Sequence, residues 1–305
     1  MIIHPKELWP QIKDLYDKGL PPGYSSGWKT LDQNYTVAPG QWTLVTGQPG
    51  HGKSELVDAL MVNLTRQGWK FIVWSAENLP QSIHASKLME KYAGKPFGHG
   101  PTERMDEGDL AIAMGIVEMD YVFIKPKDML NVDMIIEAAS GVIQGHEHTG
   151  PWGVVMDPWN ELEHNRPQGQ TETEYISQSL SRVRAWAREW NVHVWIVAHP
   201  AKLQRDREGK LPKPTPNDVA GSHHWWAKAD NAITVWRDTS ADHQMVEIIV
   251  QKVRFKHIGK PGVVELRYDR VTGRYSDLKV HLVAGRDVKA RAADYRAASA
   301  GEADR

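Results

Sequence analysis

Short runs of consecutive apolar residues alternate along this chain with segments in which apolar residues recur every three or four positions. The runs are typical of buried strands and cover residues 42–46, 70–75, 121–124, 153–157 and 192–198. The recurring spacing predicts helices over residues 56–64, about 80–93, about 106–118 and 131–144, and a further helix that ends near residue 190. Buried strands separated by helices predict an α/β protein with a mostly parallel central sheet covered by helices on both faces.

The pattern changes in the last third of the chain, where apolar and polar residues alternate. Residues 232–237, 245–252 and 262–268 are predicted strands of this alternating kind. They predict an antiparallel extension at one edge of the sheet. The preceding segment, 201–218, has no apolar periodicity and contains three prolines, so we expect a mobile loop there.

The two ends of the chain differ from this α/β pattern. Residues 4–19 predict a short amphipathic helix with Leu8, Ile12 and Leu15 at helical spacing. This helix can pack on the chain's own core or on a neighbouring subunit. We therefore divide the chain into an N-terminal arm (1–24), an α/β domain (25–283) and a tail (284–305), which we expect to be flexible.

Composition excludes several classes of protein. The 305 residues carry a net charge of −1 and no cysteine, which excludes disulfide frameworks and zinc sites built on thiolates. No stretch reaches the roughly 18 uninterrupted apolar residues of a membrane span, and we expect a cytoplasmic protein. Because the chain as a whole is not basic, any nucleic-acid surface must come from a local arrangement of charge.

The most specific motif joins the first predicted strand to the first predicted helix. Residues 47–54, GQPGHGKS, match G-x-x-x-x-G-K-[ST] in the strand–loop–helix context of a P-loop. Successive backbone N–H groups, with a helix N-terminus behind them, form a concave anion site in such a loop. The predicted nucleotide-binding residues are Gly47, Gln48, Pro49, Gly50, His51, Gly52, Lys53 and Ser54. Lys53 can reach the β- and γ-phosphates and Ser54 can bind Mg²⁺, so we predict that the chain binds a nucleoside triphosphate.

Polar side chains follow several predicted strands, and the carboxyl ends of strands in such a sheet share one crevice. Asp157 ends the run GVVMD, the Walker B pattern, and can hold Mg²⁺ opposite Ser54. Glu77 either activates the attacking water or is an acid near a helix N-terminus. His199 either senses the γ-phosphate or has a structural role.

Two groups of cations lie in the second half of the chain. Lys252 and Arg254 share one face of a predicted edge strand. They either protect the edge or enter an adjacent subunit's nucleotide site and stabilise the transition-state charge. The loop after His199 has an excess of cations, which suits a phosphate backbone but is also common on solvated surfaces. Its cations are Lys202, Arg205, Arg207, Lys210 and Lys213.

Six segments in this order resemble the RecA-like motor domain of hexameric replicative DNA helicases of the DnaB superfamily. They are GQPGHGKS, WSAEN, VVMDPWN, VAHP, GSHHWWAKADNAITVWRD and QKVRFKHIG. The likeness spans about residues 27–276 and is greatest to phage primase–helicases and Twinkle-type helicases. It implies a RecA-like P-loop NTPase fold and the use of ATP or another NTP, such as dTTP, with Mg²⁺. It also implies binding to single-stranded DNA, a hexamer or other ring or filament, primase or replication partners, and a phage, bacterial or organellar origin.

The resemblance also implies roles for individual residues. The Walker A pair, catalytic glutamate, Walker B aspartate and γ-phosphate sensor correspond to Lys53, Ser54, Glu77, Asp157 and His199. The pair that acts on the neighbouring subunit and the aromatic that stacks on the base correspond to Lys252, Arg254 and Tyr268. The channel loop that binds DNA falls on Lys202, Arg205, Arg207 and Lys210, and the G-S…A-D motif on Gly221, Ser222, Ala229 and Asp230. Residues 4–19 fall where the family has a linker helix that docks on the next subunit.

These observations predict a replicative-type DNA helicase motor that hydrolyses NTP at subunit interfaces. The alternatives are a RecA/RadA-like recombinase ATPase and a nucleotide-gated module that binds or loads single-stranded DNA without processive unwinding. Two departures from the family accompany the resemblance. The segment 223–226, HHWW, is bulkier than usual, and no primase domain or collar precedes the motor in this sequence, so we expect a fragment, a stand-alone motor or one that relies on partners.

Overall fold

The computed structural model describes residues 2–125, 129–205, 207, 209, 211–221, 223–238 and 244–278. Within them the strands are β1 (Trp42–Thr46), β2 (Lys70–Ser75), β3 (Tyr121–Phe123), β4 (Trp152–Asp157), β5 (His193–Val197), β6 (Asn231–Trp236), β7 (Met245–Val253), β8 (Gly262–Tyr268) and β9 (Tyr275–Asp277). The α-helices are α1 (Trp9–Lys18), α2 (Lys29–Asp32), α3 (Lys53–Thr65), α4 (Gln81–Ala93), α5 (Glu107–Asp120), α6 (Val132–Gly145), α7 (Glu172–Glu189) and α8 (His224–Lys228). Short 3₁₀ turns cover Pro5–Leu8, Trp159–Glu161 and Pro216–Asp218.

All of these strands belong to one sheet, in the order β3-β2-β4-β5-β1-β6-β7-β8-β9. The strands from β3 to β6 in this order are parallel, and β7, β8 and β9 extend the sheet with antiparallel pairings. The predicted fold class is therefore confirmed, including the antiparallel extension at one edge.

The two faces of the sheet are covered by different helices, as the uninterrupted apolar strands require. On one face Val45 and Val73 pack in a core with residues of α3, α4 and α5. On the other face Leu44 and Ile72 pack in a core with residues of α6, α7 and α8. Adjacent strand residues thus enter opposite cores, because side chains alternate along a strand.

The bulky segment 223–226 has a packing role. Trp225 is fully buried, and its ring lies 5.0 Å from that of Trp159 and 6.3 Å from that of Trp42, both in edge-on geometry. Its indole N–H donates to Ala220 O at 3.1 Å, so the polar atom is paired as well. The large side chain therefore fills the second core between α8 and the sheet.

The helix of the N-terminal arm contributes nothing to either core, whereas Tyr24 at the end of the arm packs against the first core. Helix α1 buries no residue, and Ile12 and Leu15 remain 46% and 42% exposed. Of the two interpretations left open for this amphipathic helix, packing on the chain's own core is wrong for the single chain. In the described part of the chain no helix is long and apolar enough to cross a membrane. The predicted tail, 284–305, lies outside the described residues.

Candidate active site

The P-loop connects β1 to α3 and wraps close to the end of β6. Gly47 has φ of +151°, and a Cβ there would lie 2.3 Å from Val235 O, so only glycine fits. Gly52 has φ of +97° directly before the first turn of α3. Lys53 Nζ donates to Gly47 O at 3.0 Å and to Gln48 O at 3.2 Å. The loop backbone is therefore curved around the lysine in the form that a phosphate-binding cradle needs.

Lys53 lies in a low-dielectric position with two carboxylates nearby. Burial lowers its pKa, whereas the charges of Asp157 and Glu77 raise it. These three side chains come from the ends of β1, β4 and β2, so the predicted crevice at the carboxyl edge of the sheet is formed.

Asp157 and Ser54 form a pair that fits a hydrated Mg²⁺ ion. Asp157 is 3% exposed, and burial raises its pKa to about 6 although a hydrogen bond with Ser54 opposes the rise. Among the described residues, Asp157 Oδ1 is buried without a hydrogen-bond partner. The same residues contain no group of three or more His, Cys, Asp or Glu side chains suited to a metal. A hydroxyl and one carboxylate suit Mg²⁺, which completes its coordination with water and substrate phosphates.

Glu77 and His199 contact each other across the crevice. Glu77 Oε1 and His199 Nε2 are 3.1 Å apart, and the Glu77 side chain is 49% exposed. Helix α4 begins at Gln81 with Pro80 as its N-cap and has no acid in its first turn, so Glu77 precedes this helix without capping it. The backbone N–H of His199 donates to Asn160 Oδ1 at 2.8 Å. Asn160, which sequence reasoning missed, thereby orients His199, two residues after the end of β5.

Two further side chains contact the P-loop, and neither was predicted. Arg237 Nη2 donates to Gly50 O at 2.8 Å, and its backbone N–H donates to His51 Nδ1 at 3.1 Å. Tyr275 Oη donates to Gly52 O at 3.3 Å. Arg237 follows β6, a parallel neighbour of β1, so the rule that ligands bind at strand carboxyl ends would have found it. Tyr275 lies on the three-residue strand β9, which had no recognisable pattern.

Tyr268 lies beside Tyr275, with the two ring centroids 5.0 Å apart. Burial, together with the nearby carboxylate of Glu55, raises the pKa of Tyr268. Since Glu55 is in the first turn of α3, Tyr268 is close to the P-loop helix. Its stacking on a base stays a prediction.

Lys252 and Arg254 lie at the amino ends of the parallel strands, which form the edge of the sheet opposite the P-loop. Strand β7 runs antiparallel to β6, so Lys252 pairs with Ala232 at the start of β6 while Arg237 and the P-loop lie beyond its end. Six strand residues at about 3.3 Å each put about 20 Å between the two places. Lys252 Nζ donates to Trp226 O at 2.6 Å, and Arg254 Nε lies 2.6 Å from Asp230 Oδ1. Neither cation can reach the nucleotide site of its own chain.

The loop after His199 borders the P-loop. A groove of about 700 Å³ is lined on one side by Gln48 and Pro49 and on the other by residues between Pro200 and Leu211. The predicted DNA-binding residues that the structure describes here are all exposed: Lys202, Arg205 and Arg207. Lys210 and Ser222 lie outside the described residues. Lys213 differs from the others because its Nζ pairs with Glu247 on β7 at 2.5 Å.

Comparison with known proteins gives matches over most of the chain. The family model described as DnaB-like helicase C terminal domain matches residues 23–277. The chain is 39% identical over 292 residues to the Twinkle homolog protein, chloroplastic/mitochondrial, of Arabidopsis thaliana. That match covers 90% of this chain and 40% of the relative, so the chain spans two fifths of the length of that protein.

Solved structures share the fold at lower sequence identity. The ATPase domain of G40P aligns with a TM-score of 0.78 and 18% identity, over 92% of this chain and 100% of that one. A structure described as a DnaB-like replicative helicase and its interactions with primase aligns with a TM-score of 0.74 and 18% identity. The alignment covers 91% of this chain and 69% of that one. The RadB recombinase aligns with a TM-score of 0.55 and 15% identity, over 84% of this chain and 99% of that one. At these identities the alignments establish the RecA-like fold alone.

Proposed function

This chain belongs to the DnaB-like helicase C-terminal domain family, and we propose that it is the NTP-hydrolysing motor of a replicative-type DNA helicase. In this proposal it moves along single-stranded DNA and unwinds duplex DNA as a ring of identical subunits. The observation that carries the proposal is the division of the catalytic groups between two edges of one sheet. Lys53, Asp157 and Glu77 share one edge, and Arg254 lies about 20 Å away at the other.

A divided site of this kind is completed by a second copy of the chain. A head-to-tail interface brings the Arg254 edge of one subunit to the P-loop edge of the next, and such interfaces close into rings or continue as filaments. Lys252 and Arg254 then face a phosphate that is held by the neighbouring chain. Cations positioned on a transferring phosphoryl group are worth roughly 10³–10⁵ in rate.

Each residue of the P-loop edge has a separate role in hydrolysis. The loop backbone and Lys53 bind the β- and γ-phosphates, and Ser54 and Asp157 hold Mg²⁺. When bound, Mg²⁺ neutralises charge that develops on the phosphate oxygens. Glu77 accepts a proton from the attacking water, and His199, 3.1 Å away, orients the Glu77 carboxylate.

His199 also connects the phosphate site to the proposed DNA surface. Its ring contacts Glu77, its backbone contacts Asn160, and the next residue begins the cationic loop. A change at the γ-phosphate that moves the His199 ring is therefore transmitted directly to the loop that carries Lys202 and Arg205. Binding there is expected to be electrostatic and largely independent of base sequence.

Helix α1 provides a second contact between subunits in this proposal. Its apolar side is exposed, and the same chain offers an apolar groove of about 480 Å³ between α4 and α5. Groove residues include Met89, Phe97 and Leu110. A second copy of the chain fits both surfaces, because its α1 can fill the groove of its neighbour. Ile12→Asp with Leu15→Asp should then abolish the oligomer seen by native mass spectrometry, whereas Asp14→Asn on the polar side should not.

The trans assignment is tested by mixing two inactive variants. Lys53→Ala removes nucleotide turnover, and Arg254→Ala should keep nucleotide binding but lose DNA-stimulated hydrolysis. Mixed subunits place an intact P-loop against an intact Arg254 at some interfaces, so part of the activity should return. Arg267→Ala serves as the matched control and should remain active. Arg267 is an exposed arginine on β8 that donates to Gln244 Oε1. Absence of any recovery in the mixture would refute the trans assignment.

Unwinding is tested separately with a forked duplex that carries one single-stranded tail. The proposed motor separates the strands only while it hydrolyses NTP. Strand exchange without fork unwinding would instead identify a recombinase, and tight salt-sensitive DNA binding with little turnover would identify a loading module.

A further inference from the structure

A buried carboxylate with an excess of cations lies at the Arg254 edge of the sheet. Asp230 is fully buried at the start of β6. Its Oδ1 lies 2.6 Å from Arg254 Nε, 3.6 Å from Arg184 Nε and 3.7 Å from Arg188 Nη2. We call these four residues the Asp230 cluster. Three guanidinium groups therefore share one carboxylate.

The excess of positive charge affects the pKa of Arg184, which lies on α7. Burial lowers the pKa of Arg184, Asp230 opposes this, and Arg254 and Arg188 lower it further. Lys252 adds a further cation within the influence of Arg254 and Arg184. A surface on which cations outnumber carboxylates in this way is suited to bind another anion.

Within the cluster Asp230 is tied to the sheet, whereas Arg254 is tied mainly to Asp230. Asp230 Oδ2 accepts a hydrogen bond from the backbone N–H of Trp42 at 3.2 Å, which ties it to β1. Arg254 lies just beyond β7 with 28% of its side chain exposed. Among the described residues neither Arg254 Nε nor Asp230 Oδ1 makes an aligned hydrogen bond. Arg254 Nη2 donates to Ala229 O at 3.4 Å, which is a long hydrogen bond. The carboxylate is therefore anchored independently of Arg254.

We propose that Asp230 is a positioning residue that holds Arg254 within its own chain until a neighbouring subunit presents a triphosphate. Arg254 then exchanges the carboxylate for the phosphate, and Arg184 moves closer to neutralise Asp230. This inference deepens the proposed function and rests on the trans role of Arg254. It assigns Asp230 and Arg184 to the reaction although neither touches the substrate.

The exchange needs Arg184 for a physical reason. A buried carboxylate that loses its partner is strongly destabilised, so Arg254 cannot leave Asp230 uncompensated. Arg184 Nε is already 3.6 Å from Asp230 Oδ1, about 1 Å further than a charge-assisted hydrogen bond requires. A small movement of the Arg184 side chain therefore replaces the lost ion pair.

The test uses the full chain with nucleotide, Mg²⁺ and single-stranded DNA. Arg184→Ala should lower the DNA-stimulated kcat at least about tenfold, equivalent to about 1.4 kcal/mol, with KM for nucleotide unchanged. Arg184→Ala combined with Asp230→Asn should have the same kcat as Asp230→Asn alone, because no buried charge then needs a partner. Arg182→Ala is the matched control on the same helix, since Arg182 pairs with Asp133 outside the cluster.

The outcomes separate this inference from the proposed function. A normal kcat for Arg184→Ala would overturn the exchange, and so would a double variant that is slower than Asp230→Asn alone. If Asp230→Asn does not fold, the kcat of Arg184→Lys decides instead. A role that depends on the positive charge predicts a higher kcat than that of Arg184→Ala. A kcat as low as that of Arg184→Ala would overturn the exchange. Stimulated hydrolysis that survives Arg254→Ala would refute the trans arginine and the exchange together. Loss with Arg254→Ala but not with Arg184→Ala would refute only the exchange.

Discussion

Asp157→Asn should stabilise the folded chain in the absence of metal while it abolishes Mg²⁺-dependent hydrolysis. Asp157 is 3% exposed and its Oδ1 has no hydrogen-bond partner in the described part of the chain. An ionised carboxylate in that position is destabilised because burial removes its hydration. Asparagine has nearly the same shape and no charge, so it removes the unfavourable term. It also removes the ligand that Mg²⁺ requires.

The size of the effect follows from the pKa of the carboxyl group. Burial raises the pKa of Asp157 from 3.8 to about 6, and each pH unit corresponds to about 1.4 kcal/mol. The ionised side chain therefore destabilises the fold by about 3 kcal/mol at pH 7. We expect a gain of about 1–3 kcal/mol for Asp157→Asn, because the amide is still a buried polar group.

The pH dependence gives this prediction a definite sign. Between about pH 4 and 6 the folded chain keeps the Asp157 proton that the unfolded chain releases, so wild-type stability falls as pH rises through this range. The advantage of Asp157→Asn should accordingly grow from pH 4 to pH 7. Urea unfolding at several pH values measures it, and thermal unfolding with and without Mg²⁺ and nucleotide measures the lost ligand stabilisation.

A second buried aspartate serves as the control. Asp230 is fully buried but lies 2.6 Å from Arg254, so Asp230→Asn should destabilise the chain by about 1–3 kcal/mol. The reasoning is refuted if Asp157→Asn is no more stable than wild type at pH 7. It is also refuted if that variant keeps the full Mg²⁺-dependent shift in unfolding temperature.

Other sites give smaller and independent effects. Burial lowers the pKa of His51 and nearby cations lower it further, so the stability of the fold should decrease as the pH drops below about 6.5. His51→Asn should weaken this pH dependence in urea unfolding. An unchanged pH profile in the variant would contradict the prediction. Lys87 Nζ lies 2.5 Å from Glu55 and 3.7 Å from Asp58, so Lys87→Met should destabilise the chain by about 1–3 kcal/mol, and a neutral result would show that these carboxylates need no cation. Neutralising the described cations of the DNA loop should flatten the plot of log affinity for single-stranded DNA against log salt by about 0.7 for each lost phosphate contact; an unchanged slope would place DNA elsewhere. These cations are Lys202, Arg205 and Arg207.

The parts of the fold that repeat a strong physical pattern could be predicted from the sequence. Continuous apolar runs such as 153–157 must be buried on both faces, so they predict central parallel strands. The P-loop could be located because its glycines, lysine and serine act through a local backbone shape. The carboxyl-edge rule then brought Glu77 and Asp157 into one crevice without knowledge of the tertiary contacts.

The remaining parts of the site depend on contacts between residues distant in sequence. Tyr275 touches Gly52 across more than two hundred residues, and nothing local to the short strand β9 indicates this. The pairing of Arg254 with Asp230 depends on the antiparallel register of β7 against β6. Sequence spacing indicated that Lys252 and Arg254 share a face, but it could not indicate that a buried carboxylate already occupies it.

The internal ion pair changes what can hold the proposed ring together. If each new contact between Arg254 and a neighbour's phosphate replaces the contact with Asp230, the net electrostatic gain from assembly is smaller than the charges alone suggest. In the proposed ring the apolar contact of α1 would then supply most of the affinity between subunits, because it would bury exposed side chains such as Ile12 without breaking an existing interaction. Lys252 and Arg254 would then respond mainly to the bound nucleotide and contribute little to assembly. Such a division of roles lets the interface persist while Arg254 alternates between carboxylate and phosphate during each turnover.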